Sequence, residues 1–194
     1  MMRRLMIGLG ALCCSVPTAA HAQNWDAGGF TITTGDDNCV MTNEFEFDGR
    51  PDVQFAVLYD GDSVFISVAS SGWSNKDGDE YRDIVYFFRN PDRLYTGGVS
   101  RGFVHGYLYK GFGTFLNVDA LDALASAQSL VIGRDGEGDD DFVLVTHVNL
   151  SGSSAAVASL KRCTAQVQRA NAERARREQR WDHIEKDPFK APAD

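Results

Sequence analysis

Apolar residues recur at alternate positions along the first half of the chain. In Cys39–Phe47, Met41, Phe45 and Phe47 alternate with Thr42, Glu44 and Glu46. That period of two turns one face of a strand toward a core and the other toward water. Phe55, Val57 and Tyr59 repeat it, and Asp60-Gly61 separates them from Val64, Ile66 and Val68, which predicts a hairpin closed by a D-G turn. Ile84 to Phe88 is apolar at every position and predicts a central strand covered on both faces. Further strands are predicted at Gly102–Tyr109, Thr114–Val118, Ser129–Gly133 and Phe142–Leu150. The last two are joined by the polar run Arg134 to Asp141.

The period changes in two places. Asp119 can cap a short helix whose Leu121, Leu124 and Ala125 share a face. After Ser151-Gly152-Ser153, with Ser151 and Ser153 as helix-capping hydroxyls, Ala156, Leu160, Cys163 and Val167 follow at helical spacing. Beyond Val167 the apolar stripe gives way to Arg174, Arg176, Arg177, Glu178 and Arg180. The helix continues on propensity and on the Glu173–Arg177 spacing. It is mostly solvated and ends near Asp187-Pro188. The expected fold is mainly β: an antiparallel sandwich or partly closed barrel, with a short crossover helix and a long C-terminal helix.

The N-terminus changes the picture of where this fold operates. Met1-Met2-Arg3-Arg4, an apolar run from Leu5 to Val16, and Ala20-His21-Ala22 have the order of a secretory signal peptide cleaved before Gln23. The run is shorter than the roughly 20 residues of a membrane span, so no membrane insertion is expected, and the mature protein is expected in the periplasm or outside the cell. Leu12 beside Cys13 and Cys14 argues against a lipid-modified cysteine. The organisation expected is a signal peptide over 1–22, a β-rich core over 23–165 and a charged helical tail over 166–194.

After cleavage only Cys39 and Cys163 remain. In an oxidising compartment they should pair, closing a loop whose chain-entropy stabilisation is about 4–5 kcal/mol. From Gln23 to Cys163 there are 10 Lys and Arg against 21 Asp and Glu, while Thr164 to Asp194 has 7 against 6. An acidic body excludes nucleic acid and anionic membrane surfaces as natural partners.

Candidate chemistry is sparse. Ser154, in Gly152-Ser153-Ser154-Ala155-Ala156, superficially has the setting of a nucleophile elbow, but the only histidine after it is His183, far out on the polar tail. His105 and His147 lie on predicted strand faces and read as partly buried structural histidines. The alternative is an envelope hydrolase using either with a carboxylate such as Asp83. No metal is expected: Asp135, Glu137 and Asp139 fail the spacing of a calcium loop, and Asp77-Gly78-Asp79-Glu80 reads as a solvated turn. No cofactor is implied. Trp25, Trp73, Tyr81, Tyr95 and Phe112 fall near predicted turns, where aromatic rings either pack at a core edge or offer a stacking surface for a glycan or partner. Trp181, Ile184 and Phe189 are the large apolar residues of the tail and suit anchoring in a partner's groove.

The sequence from Cys39 through Leu58-Tyr59-Asp60-Gly61, Trp73-Ser74, Tyr81 and Phe87 to Gly152-Ser153-Ser154-Ala155-Ala156 and Cys163 resembles a group of small periplasmic proteins of alphaproteobacteria. It is also similar to the invasion-associated locus B family of exported proteins, a likeness that implies an envelope or host-cell role. The chain lacks further cysteines expected of that family. The reading reached is a non-enzymatic exported binding or accessory protein that contacts another envelope protein, in part through its tail; the alternatives are the envelope hydrolase using His105 or His147 and a glycan- or calcium-binding module.

Overall fold

The computed structural model describes residues 24–47, 50–105, 109–134 and 142–182. The signal-peptide region, the acidic positions of the 135–141 loop, Ile184 and Phe189 therefore lie outside the described residues. Two antiparallel sheets form the body. The larger has eight strands, in order β1 (Asn24–Ala27), β2 (Phe30–Thr34), β3 (Cys39–Phe47), β4 (Arg50–Tyr59), β5 (Val64–Ser70), β10 (Tyr109–Leu116), β9 (Ser100–His105) and β6 (Glu80–Tyr81). The smaller runs β12 (Val143–Asn149), β11 (Ser129–Arg134), β7 (Ile84–Arg89) and β8 (Arg93–Thr96). The sheets do not close into a barrel, and the mainly-β architecture with its two helices is the expected one.

Alternation sets which face is buried. Ile32, Met41, Phe55, Val57, Ile66 and Val68 from the large sheet meet Ile84, Tyr86, Phe88, Leu130, Ile132 and Val148 from the small one in one continuous core. Burying each such side chain contributes about 1.5–3 kcal/mol before entropy is counted. The short helix α1 (Ala120–Ser126) and the long helix α2 (Ser153–Asp182) pack on one another beside that core. The stripe read from the sequence is the one buried: Ala156, Leu160, Cys163 and Val167 all face inward.

Cys39 and Cys163 are joined in a disulfide, with their Cα atoms 6.1 Å apart. Nearby, the Thr164 hydroxyl donates to the Tyr59 carbonyl at 3.0 Å, and the Gln168 carboxamide donates to the Asp60 carbonyl. The helix is thus sewn to the β4–β5 hairpin over about one turn. It continues without a break across the 165/166 position, and positions 172–179 are exposed.

Several local expectations need correction. The β4–β5 loop has four residues, Asp60 to Ser63, because Tyr59 pairs with Val64. Asp60 organises it: Oδ1 accepts the backbone N–H groups of Asp62 at 2.9 Å and Ser63 at 2.7 Å, and Oδ2 accepts the Ser63 hydroxyl at 2.8 Å. The Ser63 N–H, then that of Asp62, then the Ser63 hydroxyl hold the Asp60 carboxyl below its ordinary range.

Strand β7 buries Ile84, Tyr86 and Phe88 fully, but Val85 and Phe87 on its other face are only half-covered. The strand expected at Gly102–Tyr109 ends at His105, and the next begins at Tyr109 and runs through Gly111 and Gly113. These glycines read as loop residues, yet they sit mid-strand because the rings of Phe103 and Phe65 lie over them where a Cβ would be.

Neither helix is capped as expected. Asp119 makes no side-chain capping bond; its carboxylate accepts the Tyr95 hydroxyl at 3.3 Å. The Ser153 hydroxyl turns inward to the Leu124 carbonyl at 2.7 Å, and α2 starts from the Gly152 carbonyl, which accepts the N–H groups of Ala155 and Ala156.

Candidate functional site

The sandwich is open at the end where β5 leaves the large sheet. There Trp73 stacks on Phe112, ring centroids 5.6 Å apart and planes 12° from parallel. Tyr81 tilts against the same Phe112 ring at 5.7 Å. Across from them stand Ile84, Val143 and Val145 of the small sheet, with Arg134 at the rim. Together they bound a cleft of about 460 Å³, within the roughly 300–1,000 Å³ range of ligand pockets.

Each element is placed by a local reason. Phe112 lies on β10 opposite Val68 and is almost fully buried, so it forms the floor. Trp73 is brought back over it by a turn in which its N–H bonds to the Ser70 carbonyl. A bulge in the β11–β12 ladder near Ile132 and Gly133 interrupts strict alternation and turns Val145 toward the cleft beside Val143.

Two polar side chains of the cleft, Asn75 and Tyr81, are committed to holding its shape. The Asn75 carboxamide donates to the Gly111 carbonyl at 2.7 Å and to that of Phe103 at 3.4 Å. The Tyr81 hydroxyl donates to Asp79 Oδ2 at 3.3 Å, and the same oxygen accepts the Lys76 N–H at 2.7 Å. Burial, followed by the Asp79 charge, pushes the Tyr81 phenol up, which keeps it protonated as that donor. What remains available is mostly aromatic and aliphatic surface, with Arg134 at the rim. Next to it, Phe142, Val143 and Leu144 are about half exposed at the start of β12, an edge strand.

The other candidate residues are dispersed. Both histidines are exposed, contrary to the partly buried positions expected of them, because each points outward from a strand near a sheet end or edge. His105 shares a polar groove with Glu44, and no hydrogen bond joins it to a described carboxylate. Asp83 is exposed in the turn between β6 and β7 and lines neither cavity. Ser154 is exposed beside a crevice lined by Ala125, Gln128, Asn149 and Ser151, with no histidine or acid among its described walls. In the acidic turn at 77–80, Asp79 is already satisfied by Lys76 and Tyr81, and no group of three possible metal ligands occurs among the described residues.

Of the five aromatics singled out, Trp73, Tyr81 and Phe112 come together, Tyr95 packs edge-on against Phe88, and Trp25 packs against the core. Trp181 enters only as a backbone position near the end of α2. The half-exposed Val143 and Leu144 carried no functional reading in the sequence; the Phe142–Leu150 run there reads only as a strand.

No protein-family model and no curated protein sequence matches the chain. Among solved structures, its fold is similar to the crystal structure of invasion associated protein B from Bartonella henselae. The TM-score is 0.52, with 12% sequence identity, over 76% of this chain and 99% of that one. At that identity the likeness shows a shared architecture alone.

Proposed function

We propose that the chain is an exported, non-enzymatic binding protein of the cell envelope, which takes an apolar or aromatic side chain of a partner protein into the Trp73–Tyr81–Phe112 cleft. The observation that carries this reading is the parallel stack of a half-buried Trp73 on Phe112 at an open mouth, with Asn75 and Tyr81 beside it already hydrogen-bonded. Such a ring offers a large contact area at small entropic cost, which is how aromatic anchors dominate interfaces. Filling the mouth with one side chain is worth about 1.5–3 kcal/mol. The exposed apolar start of β12 extends the same surface. The export signal at 1–22, the periplasmic or extracellular location and the fold-level likeness to an exported protein are consistent with an envelope partner.

The tail is a second contact in this proposal. Its arginines and Trp181, Ile184 and Phe189 would meet the partner after the mouth has engaged. The test is affinity capture by the purified mature protein from envelope extract, alongside Trp73→Ala and a truncation after Ala170. Trp73→Ala is expected to weaken capture about tenfold or more. Among the described residues, the truncation removes the exposed helix positions 172–179 and the Asn171–Asp37 contact. It should shift the melting temperature by a few degrees or less, about 1 kcal/mol, and weaken capture less than Trp73→Ala does. Equal capture by wild type and a folded Trp73→Ala protein would remove the mouth from the proposal.

A further inference from the structure

A second cavity lies on the opposite side of the large sheet from the core. Thr31, Thr33, Thr42, Glu44 and Gln54 project from the outward faces of β2, β3 and β4, and His105 of β9 closes one end. Asn24 of β1 lines the same groove, although β1 and β9 are the first and seventh strands in the sheet order. The sheet therefore curls, and its outward face is concave. The groove encloses about 550 Å³. We infer that this concave face is a binding site for a neutral oligosaccharide.

Its chemistry selects that ligand class. Beside Phe55 and Ala56, the walls are hydroxyls, carboxamides, one carboxylate and one imidazole, which donate and accept in the pattern a polyhydroxylated ring requires. Among the described lining residues there is no lysine or arginine, and the body is acidic, so phosphates and anionic polymers are repelled. Strands β2, β3 and β4 are each paired on both sides, so no free backbone edge is offered to a peptide strand. Phe55 and Ala56 are the apolar residues among the described lining, and Phe55 is fully buried, so the wall offers little surface to a lipid chain.

Along the same face, the register runs from Thr33 through Val40, Leu58 and Phe65 to Phe115. Phe115 is 63% exposed and rests on Phe65, ring centroids 4.9 Å apart. An exposed, rigidly held ring is a platform on which the C–H face of a pyranose stacks, since the electron-rich ring face attracts polarised C–H groups. Gln54 is held toward the groove by donating to Glu44 Oε1 at 2.9 Å. Glu44 is the one carboxylate among the described lining residues, whereas glycoside hydrolysis ordinarily uses two. The groove is accordingly assigned to binding.

The test is calorimetric titration of the mature protein with two neutral probes, an N-acetylglucosamine hexamer and a maltose-type hexamer, and with polygalacturonate as the anionic comparison. Saturable binding of at least one neutral probe is expected, with no binding of the polyanion. Gln54→Leu, Thr42→Val and Phe115→Ala should each weaken it about tenfold, with melting temperatures within a few degrees of wild type. Trp73→Ala should leave it unchanged, which separates this site from the aromatic mouth. Absence of binding to both neutral probes at millimolar concentration, binding of the polyanion alone, or unaltered binding by all three groove variants would overturn the inference.

Discussion

Cys163→Ser should lower the unfolding free energy by about 2–5 kcal/mol, read from denaturant curves of protein exported in oxidising conditions. The bond links positions 124 residues apart and so constrains nearly the whole body in the unfolded chain. Its partners also matter in the folded state. Cys39 is fully buried at the start of β3, and Cys163 is 2% exposed on the inward stripe of α2. Removing the bond leaves a buried thiol at position 39, and α2 is then held by the Leu160 and Val167 contacts and the bonds from Thr164 and Gln168 to the β4–β5 hairpin. The Thr34 hydroxyl, 3.3 Å from Cys163 Sγ, can pair with the new serine hydroxyl and keep the local desolvation cost small. The loss should therefore be chiefly one of chain constraint. Dithiothreitol added to the wild-type protein should lower its melting temperature toward that of the variant, whereas a variant as stable as wild type would show that the bond constrains little.

Gly152→Ala should be comparably damaging, at about 2–5 kcal/mol. Gly152 begins α2 with φ +85°, and it faces Gly28, φ +62°, in the β1–β2 turn. A Cβ on either residue would overlap the other's backbone carbonyl. The left-handed conformation costs a side-chain-bearing residue about 1–2 kcal/mol, and forcing two backbones apart costs about 1–3 kcal/mol more. The Gly152 carbonyl also accepts the first N–H groups of α2, so displacing it loosens the helix start. Gly29 is a built-in comparison: it also has a positive φ, +86°, but open space lies around it. Gly29→Ala should cost only the conformational share. Equal losses from Gly152→Ala and Gly29→Ala in urea unfolding would mean that the contact between the two turns contributes nothing.

Much of the frame was legible in the sequence because it depends on local periodicity. Met41 and Phe45 could be placed on the buried face of β3, and Leu160 and Cys163 on one stripe of α2, from spacing alone. The disulfide followed from there being two cysteines after the predicted signal peptide. The aromatic mouth was not legible. Trp73 and Phe112 meet only because β5 and β10 pair in a particular register and the chain turns back after Ser70, and register is a tertiary outcome. The polar groove depends on curling of the sheet across strands distant in sequence. Gly111 and Gly113 were misleading for the same reason: what stabilises them in a strand is the aromatic cover supplied by Phe103 and Phe65, which no local pattern records. The capping serines failed because Ser153 found a buried acceptor, the Leu124 carbonyl, once the two helices had packed.

The binding role of the mouth is tested most directly by photocrosslinking in exporting cells, with a photoreactive phenylalanine in place of Val143 and, separately, in place of Ser154. Both positions are exposed, but only Val143 borders the Trp73–Phe112 cleft. A discrete protein adduct is predicted from position 143, absent from position 154, and lost when Trp73→Ala is added to the first variant. No adduct from position 143, or one that persists unchanged with Trp73→Ala in a folded protein, would contradict the proposal that this cleft receives a partner.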